Sequence, residues 1–129
     1  MEGYFSRLGI YNTKIYGGTA TWANSAAAGT TVNLDIKIPP KPTEYGRVMI
    51  TIYNPSTVTG LVVRCQNKIT ISGNAQYPES AAFTVGANSS RSVRVDSFPC
   101  IEGGRLSISN DTVLGASDGF TATVDVRQV

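Results

Sequence analysis

The sequence predicts an all-β protein, folded as a single antiparallel β-sandwich of seven to eight strands. From residue 30 onward, apolar residues recur at nearly every second position, which is the period of a strand with one buried face. No segment shows the 3.6-residue apolar repeat of an amphipathic helix. A chain of 129 residues fits one domain. Strands with one apolar face must pack in two layers, so we expect two facing sheets.

The first predicted strands lie in residues 30–39 and 46–55. In the first strand, Val32, Leu34, Ile36 and Ile38 share the apolar face. The proline-rich stretch 39–42 ends it, because proline lacks the donor that a β-ladder needs. The second strand ends at a turn-forming Asn-Pro pair.

The remaining strands are separated by small polar residues and glycine. They are expected in residues 60–65, 68–72, 81–85, 91–95, 103–109 and 119–129. The stretch "GANSS", residues 86–90, supplies a glycine and an asparagine that can turn the chain, and two serine hydroxyls that can bond its backbone. We therefore interpret it as a connection between two strands rather than a binding site.

Two stretches carry a resemblance to a known class of domain. "VMITIYNPSTVTGLVVRC", residues 48–65, and "FTVGANSSRSVRV", residues 83–95, resemble immunoglobulin-like domains of bacterial and phage surface proteins. The resemblance implies an immunoglobulin-like strand order, with a jelly-roll as the competing topology. The antibody arrangement of Cys, Trp and Cys is missing, because Trp22 precedes the sandwich.

Residues 1–29 are predicted to form an irregular, aromatic-rich N-terminal arm, and residues 30–129 the sandwich domain. Five of the eleven aromatic residues lie within the first 22 positions. Such an arm can fold back over its own sandwich, or it can bury its rings against another subunit, where Tyr and Trp are preferred anchors. We favour the second alternative. The predicted partner-binding residues are Tyr4, Phe5, Leu8, Ile10, Tyr11, Ile15, Tyr16 and Trp22.

The sequence gives little indication of an enzyme. It contains no histidine, which removes the commonest general base and the usual zinc ligand. Phosphate-binding glycine loops and the nucleophile elbow are absent. The carboxylates lie mostly at turns or on solvent-facing positions. We therefore predict no catalytic residues and no cofactor.

One acidic loop suggests a metal, but turn chemistry explains it more simply. Residues 109–119 contain Asn110, Asp111 and Asp118, and calcium prefers six to eight oxygen ligands. The spacing matches no EF-hand loop, and Asn and Asp are common turn residues. We predict no metal site.

Two cysteines occur, Cys65 and Cys100. A disulfide between them is one alternative and would contribute about 3–4 kcal/mol through loop closure. Free thiols are the favoured alternative, because one pair of cysteines alone is weak support for a bridge.

Charge and hydropathy argue against two classes of partner, nucleic acids and membranes. Charged residues make up 16% of the chain, and a charge-poor surface costs little to desolvate. Arg64, Arg91 and Arg94 are scattered and form no dense basic face, so we predict no nucleic-acid partner. No run of eighteen apolar residues is present, so we predict no membrane span. The N-terminus does not have the pattern of a secretory signal.

The resemblance also implies a mode of use. Phage head-decoration, or cement, proteins are small β domains with a protruding N-terminal arm, and they often form trimers on a capsid. We therefore expect a non-enzymatic virion component that binds protein subunits, forms a homo-oligomer and assembles in the host cytoplasm. The alternative is an extracellular glycan-binding or adhesion module, with Tyr45, Tyr53 and Tyr77 as candidate sugar contacts.

Overall fold

The computed structural model describes residues 13–37, 46–99 and 102–129, and these ranges contain ten strands and no helix. The strands are β1 (Lys14–Trp22), β2 (Thr31–Ile36), β3 (Arg47–Asn54), β4 (Leu61–Asn67), β5 (Ile69–Ile71), β6 (Asn74–Gln76), β7 (Glu79–Val85), β8 (Ser89–Asp96), β9 (Gly104–Asn110) and β10 (Phe120–Gln128). None of the described residues forms a helix with the length and apolar character needed to span a bilayer.

Eight of the strands form two four-stranded sheets. Sheet A has the order β1-β10-β3-β8, and sheet B has the order β2-β9-β4-β7. Every neighbouring pair in both sheets is antiparallel. The two remaining strands, β5 and β6, form a separate hairpin between β4 and β7.

The pairing follows the pattern of one long hairpin rolled into a sandwich. The segment between β4 and β7 is the tip of the hairpin, and the pairs β4·β7, β3·β8, β2·β9 and β1·β10 follow outward from it. Successive pairs alternate between the two sheets, which is the arrangement of a jelly-roll. The predicted all-β, two-sheet antiparallel sandwich is therefore confirmed. The topology is the competing jelly-roll rather than the immunoglobulin-like order.

Alternating side chains from both sheets fill the space between them, as the period of two predicts. In β3, Val48, Ile50 and Ile52 are fully buried while the residues between them are half-buried or exposed. The same alternation runs through β4, β9 and β10. The largest buried side chains are Trp22, Phe98, Ile36, Ile50, Ile52, Leu61, Leu106 and Ile108.

The predicted irregular arm is wrong for residues 14–22, which form the edge strand β1. This strand pairs with β10 from Lys14 to Trp22, with a bulge between Lys14 and Tyr16. Its inward positions include Gly18 and Ala20, so the apolar alternation is weak in the sequence. A side chain at Gly18 would collide with the ring of Tyr16, which lies across it. Gly18 therefore weakens the apolar alternation of β1 in the sequence, but its lack of a side chain leaves the space that the Tyr16 ring occupies.

Short polar turns join the strands. Ser72 and Gly73 have φ angles of 51° and 80°, the positive values that a two-residue β-hairpin turn requires. The "GANSS" stretch turns at Asn88, with φ of 48°, and carries the chain from β7 in sheet B to β8 in sheet A. Residues 86–88 therefore connect the two strands as expected, while Ser89 and Ser90 already belong to β8.

Candidate interaction surfaces

The described part of the predicted arm packs against its own sandwich. Trp22 is only 1% exposed and belongs to the core, so it is not the partner anchor that the sequence suggested. Ile15 and Tyr16 are half-buried and pack against the same core. The other five predicted arm contacts lie outside the described residues; they are Tyr4, Phe5, Leu8, Ile10 and Tyr11.

Trp22 closes the core where β1 ends. Its ring stacks on Phe120, with ring centroids 4.9 Å apart and planes 10° from parallel. Its indole Nε1 donates to the carbonyl oxygen of Thr30 at 2.9 Å. An indole with its polar atom bonded and its ring stacked is a structural residue, because a buried Trp needs both. Its role is therefore to hold β1 to β10 and to the following loop.

Cys65 carries a free thiol buried in the centre of β4. Burial, and secondarily the charge of Glu79, raises the pKa of this thiol to about 12. A thiol with so high a pKa is unreactive at neutral pH, because the thiolate is the nucleophile. Cys65 therefore behaves as a small apolar core residue, while Cys100 lies outside the described residues.

The acidic loop is held by ordinary turn chemistry. The Asp111 carboxylate accepts hydrogen bonds from the Thr59 hydroxyl at 3.0 Å, the Gly60 N–H at 3.0 Å and the Thr112 hydroxyl at 2.9 Å. Asp118 accepts from the Gly115 N–H at 2.8 Å. No group of three metal-ligating side chains occurs within residues 13–37, 46–99 and 102–129.

Two depressions on the described surface are small. One, of about 180 Å³, lies between the start of β9 and the β5–β6 hairpin and is lined by Asp35, Lys68, Tyr77 and Glu102 among others. The second, of about 160 Å³, lies beside Pro55 and Phe120. Small-molecule sites usually enclose about 300–1,000 Å³. Broad surfaces are therefore better candidates for function than these depressions.

The first candidate surface is the loop crown, which we define as the loops 23–30, 55–60, 86–88 and 111–119 at one end of the sandwich. Backbone hydrogen bonds join these loops to one another. They run from Ser25 N to Gly115 O at 2.9 Å, from Leu114 N to Ala26 O at 2.9 Å, from Asn88 N to Ser56 O at 2.7 Å and from Asp111 N to Gly60 O at 3.1 Å. Loops cross-linked in this way form one ordered surface.

Asn54 holds the crown from beneath. Its side chain is fully buried, and its Nδ2 donates to the carbonyl oxygens of Thr59 at 2.9 Å and Gly86 at 3.1 Å. Its Oδ1 accepts from the Ser56 N–H at 3.0 Å. One amide therefore fixes two crown loops at the point where β3 ends.

Two valines project from this ordered end. Val58 is 44% exposed and Val113 is 62% exposed, on loops that contact each other through Thr59 and Asp111. Exposed apolar side chains on a preordered backbone can bind a partner with little loss of conformational entropy. The crown therefore has the character of a protein-contact surface.

The second candidate surface is the hydroxyl platform on the outer face of sheet A. Eight side chains, each carrying a hydroxyl group, cover the part of this face next to the crown. They are Thr19, Thr21, Thr51, Tyr53, Ser90, Ser92, Thr121 and Thr123. All of them are exposed except Thr51, which is half-buried.

The charged groups of the same sheet face begin beside the platform at Asp125, which is the register partner of Thr51, and continue away from the crown. They pair with one another. Asp125 contacts Lys14 at 3.6 Å and Arg127 at 2.9 Å. Asp96 lies 3.6 Å from Arg47 and 4.0 Å from Arg94. The hydroxyl platform itself therefore remains uncharged.

The arginines singled out in the sequence have partners within the chain. Arg91 donates to the Thr84 carbonyl oxygen at 2.8 Å, and its guanidinium lies 5.6 Å from the centroid of the Phe83 ring. It thus braces β8 against β7 across the gap between the sheets. Arg64 lies 3.7 Å from Glu79.

The tyrosines proposed as sugar contacts do not share a face. Tyr53 lies on the outer face of sheet A, whereas Tyr77 lies beside β7 with its ring 3.6 Å from the Arg105 guanidinium. Tyr45 lies outside the described residues. A site formed by Tyr53 and Tyr77 together is therefore excluded, and Tyr53 is left with hydroxyl neighbours.

Comparison with known proteins gives a fold rather than a family. The sequence matches no protein-family model and no curated protein. A chain in the structure of Triatoma virus superposes with a TM-score of 0.53 at 9% identity, over 92% of this chain and 64% of that chain. A xylan-binding domain from CBM 22 gives 0.44 at 16% identity, over 84% and 70% of the two chains.

The chain thus spans less than two thirds of the Triatoma virus chain that it matches. That superposition shows a shared fold, while the xylan-binding domain superposes too loosely to support an argument. The strand order and the superposition on the Triatoma virus chain together place the fold among jelly-roll β-sandwiches.

Proposed function

We propose that this chain is a non-catalytic structural component of a virion, a decoration protein that docks across the subunits of a shell. The observation that carries the proposal is the jelly-roll order of the eight sheet strands, shared over 92% of the chain with a chain of Triatoma virus. Proteins of one fold can differ in function, so the proposal also depends on the chemistry of the surfaces.

The chemistry of the described surface supports a binding role over a catalytic one. The sequence has no histidine, and the two depressions beside β9 and beside Phe120 are smaller than usual substrate sites. Asp111 and Asp118, the acids of the crown, serve as acceptors for the chain's own donors. These two carboxylates stabilise the crown loops and are not left free to bind a substrate.

The docking contacts that we propose are the arm residues ahead of β1 and the loop crown. Tyr4, Phe5 and Tyr11 would supply the aromatic anchors that dominate protein interfaces, with Leu8 and Ile10 beside them. Val58 and Val113 would supply a preordered apolar contact. Repetition of both contacts around a symmetry axis of the shell would place copies of this chain next to one another, as in a homo-oligomer such as a trimer.

A decoration protein of this kind stabilises its shell by mass action. Because it binds the assembled shell and not the dissociated subunits, binding shifts the equilibrium toward the shell. The charge-poor surface lowers the desolvation cost of each contact.

The experiment is co-sedimentation of the purified chain with empty shells of the virus that encodes it. We expect the full chain to sediment with the shells and to raise their melting temperature. A variant lacking residues 1–12 keeps β1 whole and should lose most of the binding. Tyr4→Ala, Phe5→Ala and Tyr11→Ala combined should reproduce that loss, whereas Ser6→Ala, Thr13→Ala and Asn12→Ala combined should not.

The crown is tested separately with Val58→Ser and Val113→Ser combined. The matched control is Ile71→Ser, because Ile71 is also well exposed but lies on the β5–β6 hairpin at the opposite end. We expect the crown variant to bind at least tenfold more weakly and the control to bind normally. A full chain that remains in the supernatant and leaves shell melting unchanged would refute the proposal.

A further inference from the structure

We infer that the hydroxyl platform is a binding face for a neutral polysaccharide chain. The inference goes beyond shell docking, because it concerns the outer face of sheet A rather than the arm or the crown. It is carried by the register of four adjacent strands. Thr19 pairs with Thr123, Thr123 with Tyr53, and Tyr53 with Ser90.

These four residues form a single row that crosses the whole sheet. Neighbouring strands lie about 4.8 Å apart, so three spacings make the row roughly 14 Å long. A row of this length can contact several successive sugar rings. A row that runs from one edge strand of the sheet to the other suits the interior of a polymer rather than a chain terminus.

Within the described part of the chain, the hydroxyls of this row have no hydrogen-bond partner. On one side of it, Thr21 and Thr121 bond each other at 2.9 Å, and on the other side Thr51 and Ser92 bond each other at 2.8 Å. By contrast, no described residue is a hydrogen-bond partner of the hydroxyls of the row itself. Both donors and acceptors are therefore available, which suits a ligand that carries hydroxyl groups on every unit.

Tyr53 supplies an apolar surface in the middle of the row. Its side chain is 47% exposed, one of few large apolar groups so exposed in the described surface. An aromatic ring packs well on the C–H face of a pyranose, and its hydroxyl can bond at the same time. Aromatic contact flanked by oriented hydroxyls is the usual composition of a site that binds sugars by surface contact.

Charge decides between the candidate polymers. The eight platform residues carry no charge, and the nearest charged group in the register, Asp125, is paired with Lys14 and Arg127. A nucleic acid or a sulfated glycan would find no free cation there, whereas a neutral glycan needs none. A second copy of this chain is also a poor occupant, because the platform has no large side chain other than Tyr53 to bury.

The test is affinity electrophoresis of the full chain through gels that contain barley β-glucan, arabinoxylan, galactomannan or dextran, with heparin as the anionic comparison. We expect retardation by at least one neutral polysaccharide and none by heparin. Tyr53→Ala should weaken that binding at least tenfold. The matched control, Tyr77→Ala, changes a tyrosine outside sheet A and should bind like the parent chain.

A second variant distinguishes a loss of binding from a loss of the fold. Thr19→Val and Thr123→Val combined remove two row hydroxyls while keeping β-branched side chains, and should weaken binding several-fold. Thr31→Val, on sheet B, is its control. The proposal is overturned if none of the four polysaccharides retards the chain, if both platform variants bind normally, or if Tyr53→Ala merely abolishes self-association. Shell binding should survive Tyr53→Ala, so the two proposals fail separately.

Discussion

Asn54 shows how a single residue determines the shape of one end of the molecule. Its amide satisfies three backbone groups in two loops while remaining fully buried. Asn can do this because its side chain has both donors and an acceptor. No apolar residue of similar size could replace it without leaving buried polar groups unpaired.

We expect Asn54→Ala to lower the free energy of unfolding by about 3 kcal/mol, since three backbone groups lose their partner at about 1 kcal/mol each. Asn54→Asp should cost more, because a carboxylate cannot donate to the carbonyl oxygens of Thr59 and Gly86. Urea unfolding followed by circular dichroism measures both values. Asn33→Ala, on the exposed outer side of β2, is the control and should change stability by less than about 0.5 kcal/mol. Equal stability of the parent and Asn54→Asp would contradict this account.

Asp111 links the same region to pH. Hydrogen bonds from the Thr112 hydroxyl first, and then from the Thr59 hydroxyl and the Gly60 N–H, hold the pKa of this carboxyl below its ordinary value. A pKa that is lower in the folded chain than in the unfolded chain adds stability above the unfolded pKa. That stability is lost as the pH falls through the folded pKa.

Asp111→Asn should therefore be less stable than the parent at pH 7, and the difference should shrink as the pH falls below about 4. Unfolding free energies measured between pH 7 and pH 2 test this. The difference between the parent and Asn33→Ala, which removes no titratable group, should stay constant. A pH-independent gap for Asp111→Asn would show that its hydrogen bonds matter only as neutral contacts.

Strand β1 illustrates which elements a sequence can and cannot predict. The strands with branched apolar residues at alternate positions, such as β3 and β10, are predictable because most of their inward positions are apolar, with Asn54 and Gln128 as buried polar exceptions at the strand ends. In β1 the inward positions pair Tyr16 and Trp22 with Gly18 and Ala20, so aromatic rings stand beside residues of almost no bulk. Rings isolated in this way look like exposed anchors, although the tertiary partner Phe120 buries one of them.

This strand shows that the sandwich includes Lys14–Trp22, which the sequence assigned to the arm. We expect a chain without residues 1–12 to keep a cooperative urea transition. A chain without residues 1–22 should fail to fold, because loss of a buried Trp alone costs about 3–5 kcal/mol and the edge of β10 would be left unpaired. Near-ultraviolet circular dichroism of both truncations decides the matter. A native spectrum for the shorter chain would mean that β1 is dispensable.

At the scale of the whole molecule, the two-layer architecture follows from local patterns, whereas the strand order does not. Alternation tells which residues face inward, but the partner of each strand lies far away in sequence. The hydroxyl platform shows the same limit. Thr19, Thr123, Tyr53 and Ser90 come from four separate segments, and only the register makes them neighbours. Val58 and Val113 likewise come from separate segments, and only the hydrogen bonds between their loops bring them together in the crown.

The rolled hairpin also bears on how the chain is made. The first described strand and the last one pair with each other, and their bonded hydroxyls on Thr21 and Thr121 are 100 residues apart. During synthesis β1 therefore has no hydrogen-bonded partner strand until the ribosome has released β10. Pairings between such distant segments slow folding and leave strand edges open to other chains. We infer that β1 stays unpaired until translation is almost complete, so its open strand edge is the part of the nascent chain that cellular chaperones would protect longest.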